Sequence, residues 1–262
     1  SILLEHDHSL IKLAYKPKEM NEAILNADGF GIGWLKNNCL GLYKSDLPIW
    51  NDLNLKYITK SISSELVIGN VRSATISENL GFTNTHPFQF DNLLFSHNGY
   101  IRKFTDDTRH ALKSFLDDSY KSKIKGRTDS ELIFFLIIQH FKKTNDLKKS
   151  IKKSIAVIKE NSEASMLNFL VAVHDRKGNK KLYATKVGIN IKPPSLYYNF
   201  EKEHDYIISS EKLNNHNWKT IKNNSQSAAK HTCMCDCLHP AWAFRTDRHP
   251  TPRRLIQGRE KP

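Results

Sequence analysis

The chain has 262 residues, 39% of them hydrophobic and 10% aromatic, enough to bury one substantial core. No apolar run approaches the roughly 18 residues that a membrane-spanning helix needs, so no membrane partner is expected. One cysteine in the first 225 residues argues against a disulfide framework and suits a reducing, cytoplasmic setting. The formal charge of +13 comes mostly from dispersed lysines. They crowd only at Lys121, Lys123, Lys125, Lys142, Lys143, Lys148, Lys149, Lys152 and Lys153. Such a helical face lacks the interleaved aromatics that stack bases, so no nucleic-acid partner is expected.

In chain order, Gly29 to Lys36 and Cys39 to Lys44 read as strands joined by Asn37-Asn38, a two-residue hairpin signal. Leu53, Leu55, Ile58 and Ile62 give the stretch Asn51 to Ile62 a near-helical spacing. Glu65 to Arg72 reads as a strand, and Phe88 to Ser96 as a single strand ending at His97-Asn98-Gly99. Helices are predicted over Thr105 to Leu116, over Ser130 to Phe141 with Thr128 or Asp129 as cap, and over Lys148 to Lys159. Leu167 to His174 and Lys180 to Lys186 flank Asp175 to Asn179 as another hairpin, and Tyr206 to Ser210 is a last strand. Strands, then helices, then strands again predict an α+β layering rather than a βαβ repeat.

Composition breaks near Ser225. Before it asparagine occurs 22 times; after it there is none, arginine leads lysine 5 to 2, and three cysteines and four prolines crowd into 37 residues. Residues 1–225 are therefore read as one domain, and 226–262 as an unstructured or non-native tail. His231, Cys233, Cys235, Cys237 and His239 alternate there. Zinc sites normally use wider cysteine pairs, so no metal is expected.

Four segments carry the chemistry. Arg72 stands where an apolar strand runs out, a place where a guanidinium can grip a carboxylate with two parallel hydrogen bonds or make a surface ion pair. Asn98-Gly99 after a strand is a turn, or an amide and a backbone N–H that together form an oxyanion hole. Asp129 caps a helix, with room for a second role, and His86 precedes Pro87 in a loop. Gly29, Gly31 and Gly33 alternate with Phe30, Ile32 and Trp34, which allows close approach to one face of a strand. It is not a phosphate loop, because no helix follows directly.

In this order and spacing the segments resemble the glutaminase domain of class II glutamine amidotransferases, members of the N-terminal-nucleophile (Ntn) hydrolases. The resemblance runs through Asn26 to Trp34, Asn70 to Thr75, Asn84-Thr-His86-Pro87-Phe88, His97-Asn98-Gly99, Thr128-Asp129-Ser130-Glu131 and Ile208-Ser-Ser-Glu211. Its Asp-Gly-Phe-Gly-Ile-Gly-Trp opening is similar to the stand-alone type typified by the hydrolase of ergothioneine synthesis. The resemblance implies a four-layer α/β/β/α sandwich of two antiparallel sheets and no cofactor. It further implies that Arg72 binds the α-carboxylate of glutamine, that Asp129 binds its α-ammonium, and that Asn98 and Gly99 stabilise the tetrahedral oxyanion. His86 and Thr75 would shape the pocket floor.

Such enzymes begin with a cysteine whose own amine is its base, whereas this sequence opens Ser1-Ile-Leu-Leu. Truncation of the cysteine segment is the expectation, and with it inactivity of the chain as given; Cys39 is expected in the core. The implied reaction is hydrolysis of the γ-amide of glutamine or of a γ-glutamyl compound. Ammonia would pass to a partner protein, or the γ-glutamyl compound would itself be the substrate. The alternatives are a glutamine-binding domain without catalysis and a basic nucleic-acid-binding protein.

Overall fold

Period-two alternation of apolar residues builds two antiparallel sheets, and helices close their outer faces. The computed structural model describes residues 9–19, 25–36, 39–73, 81–174, 179–202, 205–215, 217–229 and 241–244. Chain order gives α1 (Leu10–Tyr15), β1 (Phe30–Lys36), β2 (Cys39–Ser45), α2 (Leu55–Ser61), β3 (Leu66–Val71), β4 (Phe88–Phe90) and β5 (Leu93–Asn98). Next come α3 (Asp106–Ser114), α4 (Asp118–Lys121), α5 (Asp129–Thr144) and α6 (Leu147–Glu160). The rest are β6 (Ser165–His174), β7 (Lys180–Ile189), β8 (Tyr197–Lys202), β9 (Asp205–Ser209), β10 (Lys219–Thr220), β11 (Ser225–Ala229) and β12 (Ala241–Phe244).

One sheet runs β10-β8-β9-β12-β3-β1-β2 and the other β11-β7-β6-β5-β4. Leu35, Leu66 and Ile68 of the first meet Leu94, Leu170 and Ala184 of the second in the middle layer. The opposite face of the first sheet, with Phe30, Ile32 and Val67, is covered by Leu10, Leu13 and Leu55 of α1 and α2. Phe95, Phe169 and Val171 of the second pack under Leu132, Ile133 and Leu136 of α5 and Ile151 and Ile158 of α6. This is the α/β/β/α sandwich the sequence implies, with both sheets antiparallel.

The helix starts are set locally. Thr128, not Asp129, caps α5: its hydroxyl accepts from Glu131 N at 3.3 Å. That leaves Asp129 as the first helical residue, with its carboxylate available. Asn145 ends α5 in the left-handed region, where asparagine is tolerated. Asp146 then caps α6.

Several expectations are corrected. Phe88 to Ser96 is not one strand but the β4–β5 hairpin, because Asp91 takes φ +48 and reverses the chain. Only the last half of Asn51 to Ile62 is helical, after a short 3-10 turn at Ile49–Asn51. Cys39 is exposed at the start of β2 rather than in the core. The segment expected to be an unstructured tail contributes two strands, since β11 pairs with β7 and β12 lies between β3 and β9. Thr75, Asn37-Asn38, Asp175 to Gly178, Ser1 and the alternating His231 to His239 segment lie outside the described residues.

Candidate active site

β3 delivers Arg72 to one end of the middle layer. Its N–H donates to Gly29 O and its carbonyl accepts from Asp28 N, both at 2.9 Å, so the strand pair holds the residue's backbone. The side chain is buried. Burial pushes the guanidinium below its ordinary value, while the Asp28 and Asp129 carboxylates oppose that shift. Arg72 and Asp129, 57 positions apart in sequence, are thus within electrostatic reach of one another.

The carboxylate of Asp129 is fixed on both oxygens. Oδ1 accepts from Ser130 N at 2.7 Å and from Ser130 Oγ at 3.1 Å, and Oδ2 accepts from Ile101 N at 2.7 Å. Oδ2, with one donor, keeps lone-pair capacity for another, and the start of α5 favours the negative charge.

Asn98 ends β5, and its Nδ2 is buried without a protein partner. At Gly99 the backbone has φ +137, and a Cβ would lie 1.9 Å from Met166 O, so only glycine fits there. His97, between Phe95 and Phe169 of the second sheet and the start of α5, is buried. Its Nε2 stands 3.0 Å from Met166 O and its Nδ1 2.9 Å from Ser130 Oγ. A carbonyl only accepts, so Nε2 of the neutral ring carries the hydrogen, and Nδ1 and Asp129 Oδ1 are alternative acceptors for the single Ser130 hydroxyl hydrogen. Burial lowers the His97 pKa, with Asp129 and the Met166 carbonyl opposing the shift, consistent with that neutral ring.

The His86 loop comes close because Gly31 and Gly33 leave part of β1's inner face without side chains. A Cβ on Gly31 would meet His86 O at 2.2 Å. His86 is buried edge-on to Phe88, with ring centroids 4.7 Å apart, and precedes a cis peptide to Pro87. Lys44, paired with Gly31 across the β1–β2 hairpin, donates from Nζ to Thr85 O at 2.7 Å and lies 4.6 Å from the Phe82 ring centroid. Desolvation brings its pKa down to about 8; Glu131 opposes the shift, and the Arg72 and Lys125 charges add to it. Asn84 Oδ1 accepts from Arg127 N at 3.2 Å, and Glu131 accepts from Lys125 N and Gly126 N at 2.9 and 2.6 Å. The His86 loop is thereby tied to the turn before α5.

Arg72, Asp129, His86, Asn98 and Gly99 are therefore gathered by β3, β5, α5 and one loop at the same end of the sandwich. A cation, an anchored carboxylate and an unpaired amide donor suit a small zwitterion that also bears a carbonyl. Among the described residues no group of three or more His, Cys, Asp or Glu could hold a metal ion, and no helix is long and apolar enough to cross a membrane.

The family model for class II glutamine amidotransferases matches residues 11–176, which include every residue of this cluster. The chain belongs to that family. Over 120 residues it is 37% identical to a probable glutamine amidotransferase, DUG3, of Saccharomyces cerevisiae, covering 44% of this chain and 33% of that one. Over 119 residues it is 26% identical to the gamma-glutamyl-hercynylcysteine sulfoxide hydrolase of Mycobacterium tuberculosis, covering 45% and 51%. The matches thus span about half the length, or less, of these curated relatives. A solved glutamine aminotransferase class-II domain protein from Silicibacter pomeroyi superposes with a TM-score of 0.62 at 22% identity, over 76% of this chain and 86% of that one. That likeness speaks for the shared fold.

In this class II glutamine amidotransferase, Cys39 is remote from the cluster. It pairs with Lys36 at the far end of β1, whereas Phe30 pairs with Val71 beside Arg72. Six residues of strand separate those ends by ~20 Å. His97 has no expected role of its own, although its place next to Asn98 within a motif is a usable signal. Lys44 carried no signal, because its hydrogen-bond partner Thr85 lies 41 residues away.

Proposed function

We propose that the chain binds glutamine or a γ-glutamyl compound and supports hydrolysis of its γ-amide bond. Arg72 takes the α-carboxylate in a bidentate grip. Asp129 takes the α-ammonium with the lone-pair capacity that Ile101 leaves open on Oδ2. Asn98 Nδ2 and the Gly99 N–H receive the oxygen of the γ-carbonyl as it becomes an oxyanion. Addition of a nucleophile to that carbon, then cleavage of the C–N bond as the nucleophile's proton passes to the nitrogen, releases ammonia from glutamine or an amine from a γ-glutamyl compound. Water then cleaves the acyl group from the nucleophile to give glutamate. The nucleophile is drawn from outside the described residues, because Cys39 stands too far away.

The observation that carries this reading is the bridge from Asn98 to Asp129. His97 adjoins Asn98 and contacts Ser130 Oγ at 2.9 Å, and the same hydroxyl lies 3.1 Å from Asp129 Oδ1. The expected carbonyl donor and the expected ammonium acceptor are thereby held at a fixed separation, as one substrate of fixed length requires. The membership of the family and the relatives' printed activities support the same substrate class.

The test is calorimetric titration of the 262-residue chain with L-glutamine. Binding should weaken by about tenfold or more in Arg72→Lys and in Asp129→Asn, since each loses a charge-assisted contact. Unaltered affinity in both variants overturns the reading.

A further inference from the structure

β6 crosses the middle layer beside β5, and its Asn168 stands directly opposite Asn98 in the antiparallel register. Opposed residues share a face, with Cβ atoms about 4.5–5.5 Å apart. Two observations fix which face that is. Ser96, two residues before Asn98, accepts from Asn70 Nδ2 across the sheets at 3.3 Å. Leu170, two residues after Asn168, packs in the middle layer with Ile68 and Leu94. Asn168 therefore faces the layer into which Asn98 and Arg72 project from either sheet.

Asn168 is fully buried, at 0% exposure, yet neither its Nδ2 nor its Oδ1 has a protein partner. Asn98 Nδ2 beside it and Asn70 Oδ1 across from it are likewise unpartnered. Buried polar atoms are almost always paired, because leaving one unpaired forfeits its hydration for nothing. Four such atoms on three neighbouring asparagines, at the very level of the strand that carries the expected oxyanion donor, mark a place shaped for a polar group. A carboxamide offers one strong acceptor and two donors, so its best complement is another amide.

We propose that Asn168 is a substrate-binding residue for the γ-amide group itself, an inference that rests on the glutamine-binding reading above. Its Oδ1 accepts from the amide N–H of the substrate, and its Nδ2 donates to the γ-carbonyl oxygen alongside Asn98. Arg72 and Asp129 then read the amino-acid end while Asn98 and Asn168 read the far end. A site whose buried polar groups are left bare by an analogue discriminates against it strongly.

The experiment is calorimetry on the 262-residue chain with two ligands, L-glutamine and L-norvaline, which share both charged ends but differ in the carboxamide. The native chain should favour glutamine. Asn168→Leu and Asn168→Ala should each cut that preference by about tenfold or more while norvaline affinity and melting temperature hold. Arg72→Lys should weaken both ligands together. If Arg72→Lys acts as expected but both Asn168 variants keep the glutamine preference, the Asn168 assignment is overturned and the parent reading stands. A fall in melting temperature, or failure to fold, in both Asn168 variants makes the residue a structural one that holds internal water, and also overturns it. If the native chain binds neither ligand, the glutamine-binding reading fails and this assignment fails with it.

Discussion

His97 and Ser130 meet at 2.9 Å, Nδ1 to Oγ, and this contact fastens the end of β5 to the start of α5. The ring is buried and neutral, so its protonation state carries stability. In the folded chain burial depresses its pKa below 6.5, whereas an unfolded histidine keeps that value. Between the two values the unfolded chain binds more protons, so stability is full above about pH 6.5 and is lost as the pH falls through that window. We expect denaturant unfolding of the native chain to show falling stability from about pH 6.5 downward, and His97→Gln to flatten that slope. Some slope should remain, because burial lowers His140 in the same direction. An unchanged slope in His97→Gln would locate the acid sensitivity elsewhere.

Arg72 and Asp129 should separate from Asn98 in kinetics of the active enzyme. The charged ends of the substrate are unchanged between ground and transition states, so Arg72→Lys and Asp129→Asn should raise KM with a smaller effect on kcat. Asn98→Ala removes a donor to charge that exists only in the transition state and should lower kcat by about 100- to 1000-fold. Steady-state rates of ammonia release from glutamine decide between these patterns. A rise in KM alone for Asn98→Ala would make Asn98-Gly99 only a turn.

Gly31 sets how near the His86 loop comes to β1. A methyl group there would stand 2.2 Å from the His86 carbonyl and 3.0 Å from Pro87 Cδ. Both neighbours are backbone or ring atoms that cannot swing aside, so the loop must move. We expect Gly31→Ala to destabilise the chain by about 1–3 kcal/mol, as overpacking does, and to weaken glutamine binding. Thermal melting and calorimetry read the two effects separately. A full-strength site with Gly31→Ala would show that the loop position does not matter to the ligand.

β1 to β3, β6, β7, β9 and the long helices were legible because their patterns are periodic and local, whereas β8 was not. β1 alternates glycine with large apolar residues, and α5 is apolar nearly all round, which befits a helix pressed into the second sheet. What escaped was short or tertiary. α1 has only six residues and is helical because it packs on β3 and under Phe30. The β4–β5 turn escaped because Asp91-Asn92 sits inside an apolar run that continues on both sides. The motif residues Arg72, His86, Asn98, Gly99 and Asp129 were legible as a set through their order. Lys44 and Asn168 were not, since a lysine in a hairpin and an asparagine in a strand acquire meaning only from what lies across the sheet.

β12 occupies the slot between β3 and β9, with Ala241 opposite Asn70 and Ala243 opposite both Ile68 and Ile208. Without a strand there the first sheet divides into β10-β8-β9 on one side and β3-β1-β2 on the other. The edge of β3 that would be uncovered carries the backbone leading to Arg72. Its N–H and C=O groups sit among buried side chains, Leu66 to Val71, where unpaired backbone is costly. The composition of 226–262 sets it apart from the body, yet the slot needs an occupant whatever that occupant's origin. We expect deletion of residues 226–262 to lower the melting temperature and to speed hydrogen exchange along β3 and β9 more than along β6. Equal protection of β3 in the full and shortened chains would show that β12 does not hold the slot in solution. The motifs around Arg72 would then owe nothing to the tail.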